Sequence, residues 1–228
     1  MENDLTLIYY TSNLISDHFA NQVRYHLWKK SSRRSLPIIS VSQLPIDFGE
    51  NICVGNIGIS SWNIYYQILL GAKAAKTKFI AMAEDDSLYT VEHFAFRPAE
   101  DEFAYNTNRW NVNKKHFYYR KNRPGMCECI APTELMVDTL ETRMKKYTRE
   151  AYAHIKHLKY YGEPGRYETE LGLPVVKRRH FQTVTPVLTF NHRPSYGGMR
   201  AALKSDVLEY ELPYWGKATE LWERVHGK

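Results

Sequence analysis

The sequence predicts an α/β fold with a mostly parallel central sheet flanked by helices, in one domain covering residues 1–228. Three observations predict it. Apolar runs rich in β-formers alternate with stretches of helical periodicity over residues 5–83, the pattern of β-α-β units. The third such run leads directly into Glu84-Asp85-Asp86, and a doubly wound sheet binds its ligands beyond the carboxyl ends of its strands. The length of 228 residues, with 43% hydrophobic and 25% charged residues, suits one large globular α/β domain and excludes a disordered or fibrous chain.

Leu5-Thr-Leu-Ile-Tyr-Tyr10 reads as a buried first strand that ends at the polar turn Thr11-Ser12-Asn13. Ser16 or Asp17 caps the following helix, in which Phe19, Val23, His26 and Leu27 recur at helical spacing. Pro37 to Val41 is the second strand, expected to lie parallel to the first. A loop with Gly49, Gly55 and Gly58 leads to Ser60 or Ser61, which opens a helix with Ile64, Ile68, Leu69 and Ala72 on one face; Gly71 interrupts it only weakly. Lys78 to Ala83 is the third strand.

The second half is less regular. Phe103 to Asn106, Met126 to Ile130 and Val184 to Phe190 read as strands, and Thr133 to Tyr147 as a helix. Gly162 to Gly172 is rich in turn formers and contains Glu168 and Glu170. The last strand runs into Asn191-His192-Arg193-Pro194-Ser195-Tyr196-Gly197-Gly198.

No apolar run approaches the roughly 20 residues that span a bilayer, and Glu2 and Asp4 stand where a signal peptide carries basic residues. A cytoplasmic location is expected, the host cytoplasm if the chain is phage-encoded. Cys127 and Cys129 have no second cysteine pair with which to complete a zinc site and read as reduced thiols on one face of a strand. The net charge of +6 is concentrated in clusters: Lys29-Lys30 with Arg33-Arg34, Lys114-Lys115 with Arg120-Lys121 and Arg123, Lys145-Lys146, and Lys177-Arg178-Arg179. Trp110, Phe117, Tyr118 and Tyr119 interleave with the central cluster, as aromatics do on nucleic-acid surfaces.

Three acids in a row after a buried strand repel one another and raise one another's pKa unless a cation neutralises them. Oxygen ligands suit Mg²⁺ or Mn²⁺, with a diphosphate completing the shell. Continued strand alternation would put Glu84 and Asp86 on one side and Asp85 on the other; the alternative is an acidic turn capping a helix near Thr90. His192 is a candidate metal or phosphate ligand, and Asn191, Arg193 and Gly197-Gly198 suit its loop to anions. Glu168 and Glu170 are candidates for a general base acting on a hydroxyl. Glu170 is favoured because Leu171 and Gly172 suggest that it enters a packed segment.

In the order and spacing of these features the sequence resembles the nucleotide-sugar glycosyltransferases of the A-type, Rossmann-like fold. Thr11-Ser12-Asn13 is similar to that family's nucleotide-binding turn, Glu84-Asp85-Asp86 to its Asp-x-Asp motif, Glu168-Thr-Glu170 to the acidic motif of inverting members, and His192 to a late metal- or diphosphate-binding histidine. Glu84 departs from the usual first Asp. The resemblance implies a donor-binding half (1–95) and an acceptor-binding half (96–228), a UDP-sugar donor bound by Thr11, Ser12, Asn13, Glu84 and Arg193, and a Mn or Mg ion. Asp86, with Glu84 and His192, would hold the metal, while Asp85 and either Glu170 or Glu168 would serve catalysis. The basic clusters and aromatics further resemble phage and base-J DNA-modifying members, which implies a hydroxymethylated pyrimidine in DNA as acceptor; proteins and glycans are the other acceptors. Two other classes stay open: a metal-dependent nucleotidyltransferase or nuclease, and a DNA-binding module without catalysis.

Overall fold

The computed structural model describes residues 4–119, 124–153, 162–191 and 207–227. The chain opens with β1 (Leu5–Thr11), α1 (Asp17–Ser32), β2 (Ile38–Ser42), β3 (Glu50–Cys53), α2 (Ser61–Ala74) and β4 (Phe79–Glu84). Both long helices start at the serines that the sequence offers as caps. Ser16 Oγ accepts from the Phe19 amide at 3.5 Å and Ser60 Oγ from the Asn63 amide at 3.1 Å, each supplying a partner to a first-turn donor. Next come β5 (Ser87–Leu88), β6 (Glu102–Asn106), β7 (Arg109–Val112), β8 (Phe117–Tyr119), β9 (Cys129–Pro132), α3 (Thr133–Lys146), α4 (Arg149–Ala153) and α5 (Glu168–Leu171). The remaining elements are β10 (Lys177–Phe181), β11 (Val187–Phe190), β12 (Val207–Glu209), a short hairpin of Glu211–Leu212 with Gly216–Lys217, and α6 (Ala218–His226).

Among the described residues, seven strands form the central sheet in the order β10-β6-β9-β4-β1-β2-β3. Its pairs are parallel except the two made by β9, so the sheet is mixed but mostly parallel. The chain leaves β1 towards β2 and β3, then returns through α2 to β4 on the other side of β1. That reversal places the switch point between β1 and β4, where open α/β sheets form their ligand crevice.

Alternation along β1 feeds two cores. Ile8 and Tyr10 pack with Val41, Ile68 and Leu69 under α2 and with Leu140 of α3; Leu5, Leu7 and Tyr9 pack with Leu27 of α1. A Cβ on Gly71 would lie 2.5 Å from Ile8 Cγ2, so the glycine that interrupts the helical pattern is what allows α2 to settle on β1. A second sheet, β12-β8-β7-β11-β5, buries one face against α1 and α6 through Val112, Phe117, Leu188 and Phe190.

Several expectations are corrected. Strand β4 stops at Glu84, and Asp85 and Asp86 form a tight turn into β5, so strand alternation does not continue through the acids. A single 3₁₀ turn at His93–Ala95 replaces the helix near Thr90, and the acids therefore cap no helix. Met126–Glu128 form a 3₁₀ turn and β9 starts at Cys129, so the buried thiols Cys127 and Cys129 do not share a strand face. The glycine loop contains β3, and Glu168-Thr-Glu170 lies on one helical turn. No helix of the described residues is long and apolar enough to cross a membrane.

Candidate active site at the switch point

The carboxyl ends of β1 and β4 are tied together by side chains that the sequence placed on separate motifs. Tyr10 and Glu84 are register partners, and the Tyr10 hydroxyl donates to Glu84 Oε1 at 2.6 Å. One residue further on, Thr11 Oγ1 donates to Asp85 Oδ2. The Glu84 amide donates to the Tyr89 hydroxyl at 3.1 Å. Asp86 is buried; its Oδ1 accepts from Ser87 Oγ at 3.0 Å and its carbonyl from the Phe190 amide at 2.8 Å. The last bond brings the end of β11 against the acidic turn.

The rim beside this turn is built from amides. Asn13 holds a left-handed conformation (φ 58°), which asparagine tolerates better than most residues. Its Oδ1 accepts from the Gln43 and Leu44 amides, each at 2.9 Å, while its own amide donates to Thr11 Oγ1 at 2.9 Å. Buried Gln67 donates from Nε2 to the carbonyls of Thr11 and Val41, both at 2.9 Å. Gln43 extends the clamp to the loop at Ile57 and Gly58 through both ends of its amide. These bonds hold the turn after β1 against β2, the loop at residues 57–58 and α2.

Two residues next to Glu84 escaped the sequence reading. Glu128 is fully buried; its Oε2 accepts from the Gly125 amide at 2.8 Å, Oε1 accepts from Cys127 Sγ at 2.8 Å, and Arg109 Nη1 lies 3.5 Å from Oε1. Burial works against the Arg109 guanidinium, but the Glu128 carboxylate beside it holds it charged. Glu163 pairs with Arg166 at 2.9 Å. An isolated Arg at the start of a short strand and an isolated Glu in a 3₁₀ turn give no periodic signal that would single them out.

Burial first, and then the charge of Asp86, pushes the Glu84 carboxyl up to about 8, against the bond from Tyr10. No group of three or more His, Cys, Asp or Glu among the described residues is ready-made to hold a metal ion. The donor set still fits a hard divalent cation of the Mg²⁺ type, which takes one or two carboxylates and leaves its other positions to phosphate oxygens and water. Crowded acids with one raised pKa are the charge such a cation relieves. Asp86 with Glu84 could supply those carboxylates; Asp85 accepts from Thr11.

The other expected residues are dispersed. Glu168 is buried in an ion pair with Arg143, whose Nη1 also donates to the Gly162 carbonyl at 2.6 Å. Glu170 is exposed on the same turn, the reverse of the expected packing, because α5 directs Glu168 and Leu171 inward. His192 and Arg193 lie outside the described residues, as do Arg120, Lys121 and Arg123. Of the basic clusters, Lys30 is buried against the Tyr214 hydroxyl at 2.7 Å, and Lys177 and Arg179 face Asp101 and Glu102. Lys114 and Lys115 are exposed at the β7–β8 tip, but Phe117 and Tyr118 are buried and Trp110 is half-buried, so these three do not form the open aromatic surface that the sequence suggested.

No protein-family model matches the sequence, and no curated protein matches it. Solved structures do. A glycosyltransferase involved in the glycosylation of the major capsid of PBCV-1 superposes with a TM-score of 0.52 at 7% identity, covering 86% of this chain and 95% of that one. S. aureus TarS 1-349, in complex with UDP-GlcNAc, gives a TM-score of 0.52 at 12% identity, covering 84% of this chain and 60% of that one. The chain thus has the α/β architecture of A-type glycosyltransferases, with a mixed seven-stranded central sheet.

Proposed function

We propose that this protein transfers a sugar from a nucleotide-sugar donor, a UDP-sugar, to a hydroxyl acceptor in a metal-dependent reaction. The observation that carries the reading is the acidic turn Glu84-Asp85-Asp86, bonded by Tyr10 and Thr11 across the switch point of a sheet with this fold. The UDP-sugar comes by likeness to S. aureus TarS 1-349, whose complex holds UDP-GlcNAc. Residues 1–95 form the donor half and 96–228 the acceptor half.

In this reading Thr11, Ser12 and Asn13 line the nucleoside side of the crevice, with Asp85 held by Thr11 beside the ribose. Asp86, helped by Glu84, holds the cation. A bound Mg²⁺ or Mn²⁺ supplies charge compensation for the departing diphosphate. The chain's own task is to hold the donor's anomeric carbon towards the acceptor and to receive the acceptor's proton. Glu170 is exposed and stands on a turn that the Arg143–Glu168 pair anchors, which suits it to that task. Glu168, the other acid of that turn, is committed to Arg143.

Thermal-shift screening with UDP-sugars and other nucleotide-sugars, with and without Mn²⁺, tests the reading, because a ligand of the folded state raises Tm by mass action. The expected result is a metal-dependent shift with a nucleotide-sugar and slow hydrolysis of that donor. A shift with nucleoside triphosphates alone, or cleavage of DNA, would favour the nucleotidyltransferase or nuclease reading. The hydroxymethylated-DNA acceptor rests on exposed Lys114 and Lys115 and is tested by sugar transfer to such oligonucleotides across a salt series.

A further inference from the structure

Helix α1 has an outer face that sugar transfer leaves unused. Its inner face buries Phe19, Val23 and Leu27, while Asn21, Tyr25, Trp28 and Ser32, at the i, i+4, i+7, i+11 spacing of a single stripe, are all exposed. Tyr25 is 59% and Trp28 53% exposed, and their rings stack with centroids 6.0 Å apart at 28°. Lys29 and Arg33 form the next row round the helix; both are exposed, and neither has an ion pair among the described residues. Exposed Arg34 follows at the helix end. No Asp or Glu occurs between Asp17 and Asp47. Two further cations of this stretch are turned away from the face or tied down: Lys30 is buried against Tyr214, and half-buried Arg24 donates to Asn21. Of the acids on neighbouring elements, Asp4 is held by Arg97 and Glu220 by Lys217, and Glu223 stands next to Arg224 on α6. Asp17 lies about 16 Å from Trp28 along the helix at 1.5 Å per residue.

We propose that this face docks the protein on an anionic lipid bilayer, with Trp28 and Tyr25 in the headgroup layer and Lys29 and Arg33 on lipid phosphates. Tryptophan and tyrosine join an apolar body to a polar tip and settle at membrane–water interfaces, and basic residues beside them draw a helix to anionic headgroups. Basic residues in a last turn also complement the helix dipole, but the dipole gives no reason for two exposed rings. A nucleic-acid strand calls for a basic groove with open ring faces, whereas this helix surface is convex and the two rings partly cover each other. The opposite side of α1 rests on the central sheet through Leu27, so contact here leaves the acidic turn uncovered.

The test is co-sedimentation of the full chain with vesicles of phosphatidylcholine alone and of phosphatidylcholine mixed with phosphatidylglycerol, followed also by tryptophan emission. The expected result is binding to the anionic vesicles alone, weakened by salt, with a blue shift of the emission. Trp28→Ala and the double change Lys29→Glu with Arg33→Glu are each expected to lower the partition coefficient about tenfold. Trp28→Phe keeps most of the binding and loses most of the blue shift. Unchanged Tm and unchanged donor binding without vesicles are the controls; should Trp28→Ala fail to fold, the charge variant and Trp28→Phe decide. Binding to neither vesicle overturns the proposal. So does binding that these variants leave unmoved, which is adsorption by the net charge of +6. A chain that binds DNA through these residues and no vesicle assigns the face to nucleic acid and overturns lipid docking, with the donor reading untouched.

Discussion

Thr11 Oγ1 donates to Asp85 Oδ2 across the seam between β1 and β4, so the turn Thr11-Ser12-Asn13 and the acidic turn are one piece of structure. Asn13 and Gln67 brace the same point from the β2 side. Thr11→Val keeps the shape of the side chain and removes the bond. Loss of one charge-assisted bond at roughly 1.5–3 kcal/mol is expected to weaken UDP-sugar binding by about tenfold or more, measured by calorimetry. Donor affinity equal to that of the natural chain would reduce the bond to packing.

Glu84 supplies a pH signature. An acid whose pKa is raised on folding, here to about 8, binds its proton more tightly folded than unfolded. Metal-free stability therefore falls as pH rises from the ordinary carboxylate range through about 8. Glu84→Gln removes that loss. The variant is expected to melt a few degrees higher than the natural chain at pH ~9 and at the same temperature near pH ~4. Equal melting temperatures at both pH values would contradict the buried, Asp86-coupled environment of Glu84.

The choice of base is settled by kinetics. Glu170→Gln is expected to lower turnover by roughly 10² with donor affinity nearly unchanged, whereas Glu168→Gln leaves Arg143 buried without its partner and lowers Tm. Unchanged turnover in Glu170→Gln would remove Glu170 as the base.

Packing at the seam has its own test. Gly71→Ala puts a methyl 2.5 Å from Ile8 Cγ2, and overpacking of this kind costs about 1–3 kcal/mol. Denaturant unfolding should register the loss; an unchanged midpoint would mean that α2 shifts freely on β1.

Periodicity made β1, α1, β2, α2 and β4 legible because each buries a full apolar stripe, and Ser16 and Ser60 marked two helix starts. It could not show β10, whose Lys177-Arg178-Arg179-His180 lies exposed at the sheet edge, nor β5, β7, β8 and β12, the short strands that join β11 in the second sheet. The acidic turn stood out in the sequence because three adjacent carboxylates have no packing rationale. Arg109 and Glu128 did not, since their pairing joins β7 to a 3₁₀ turn. The preference for Glu170 as an inward residue failed because helical spacing, not alternation, governs residues 168–171.

The most direct measurement of the central claim is metal-dependent donor binding by the natural chain and by Asp86→Asn. Asp86 is buried beside the Ser87 hydroxyl, and the substitution removes its charge at nearly constant volume. The account predicts a Mn²⁺-dependent rise in Tm with a UDP-sugar in the natural chain, and loss of that rise and of donor turnover in Asp86→Asn at an unchanged fold. An Asp86→Asn chain that still binds and turns over the donor in a metal-dependent manner would contradict the assignment of the acidic turn as the metal and donor site.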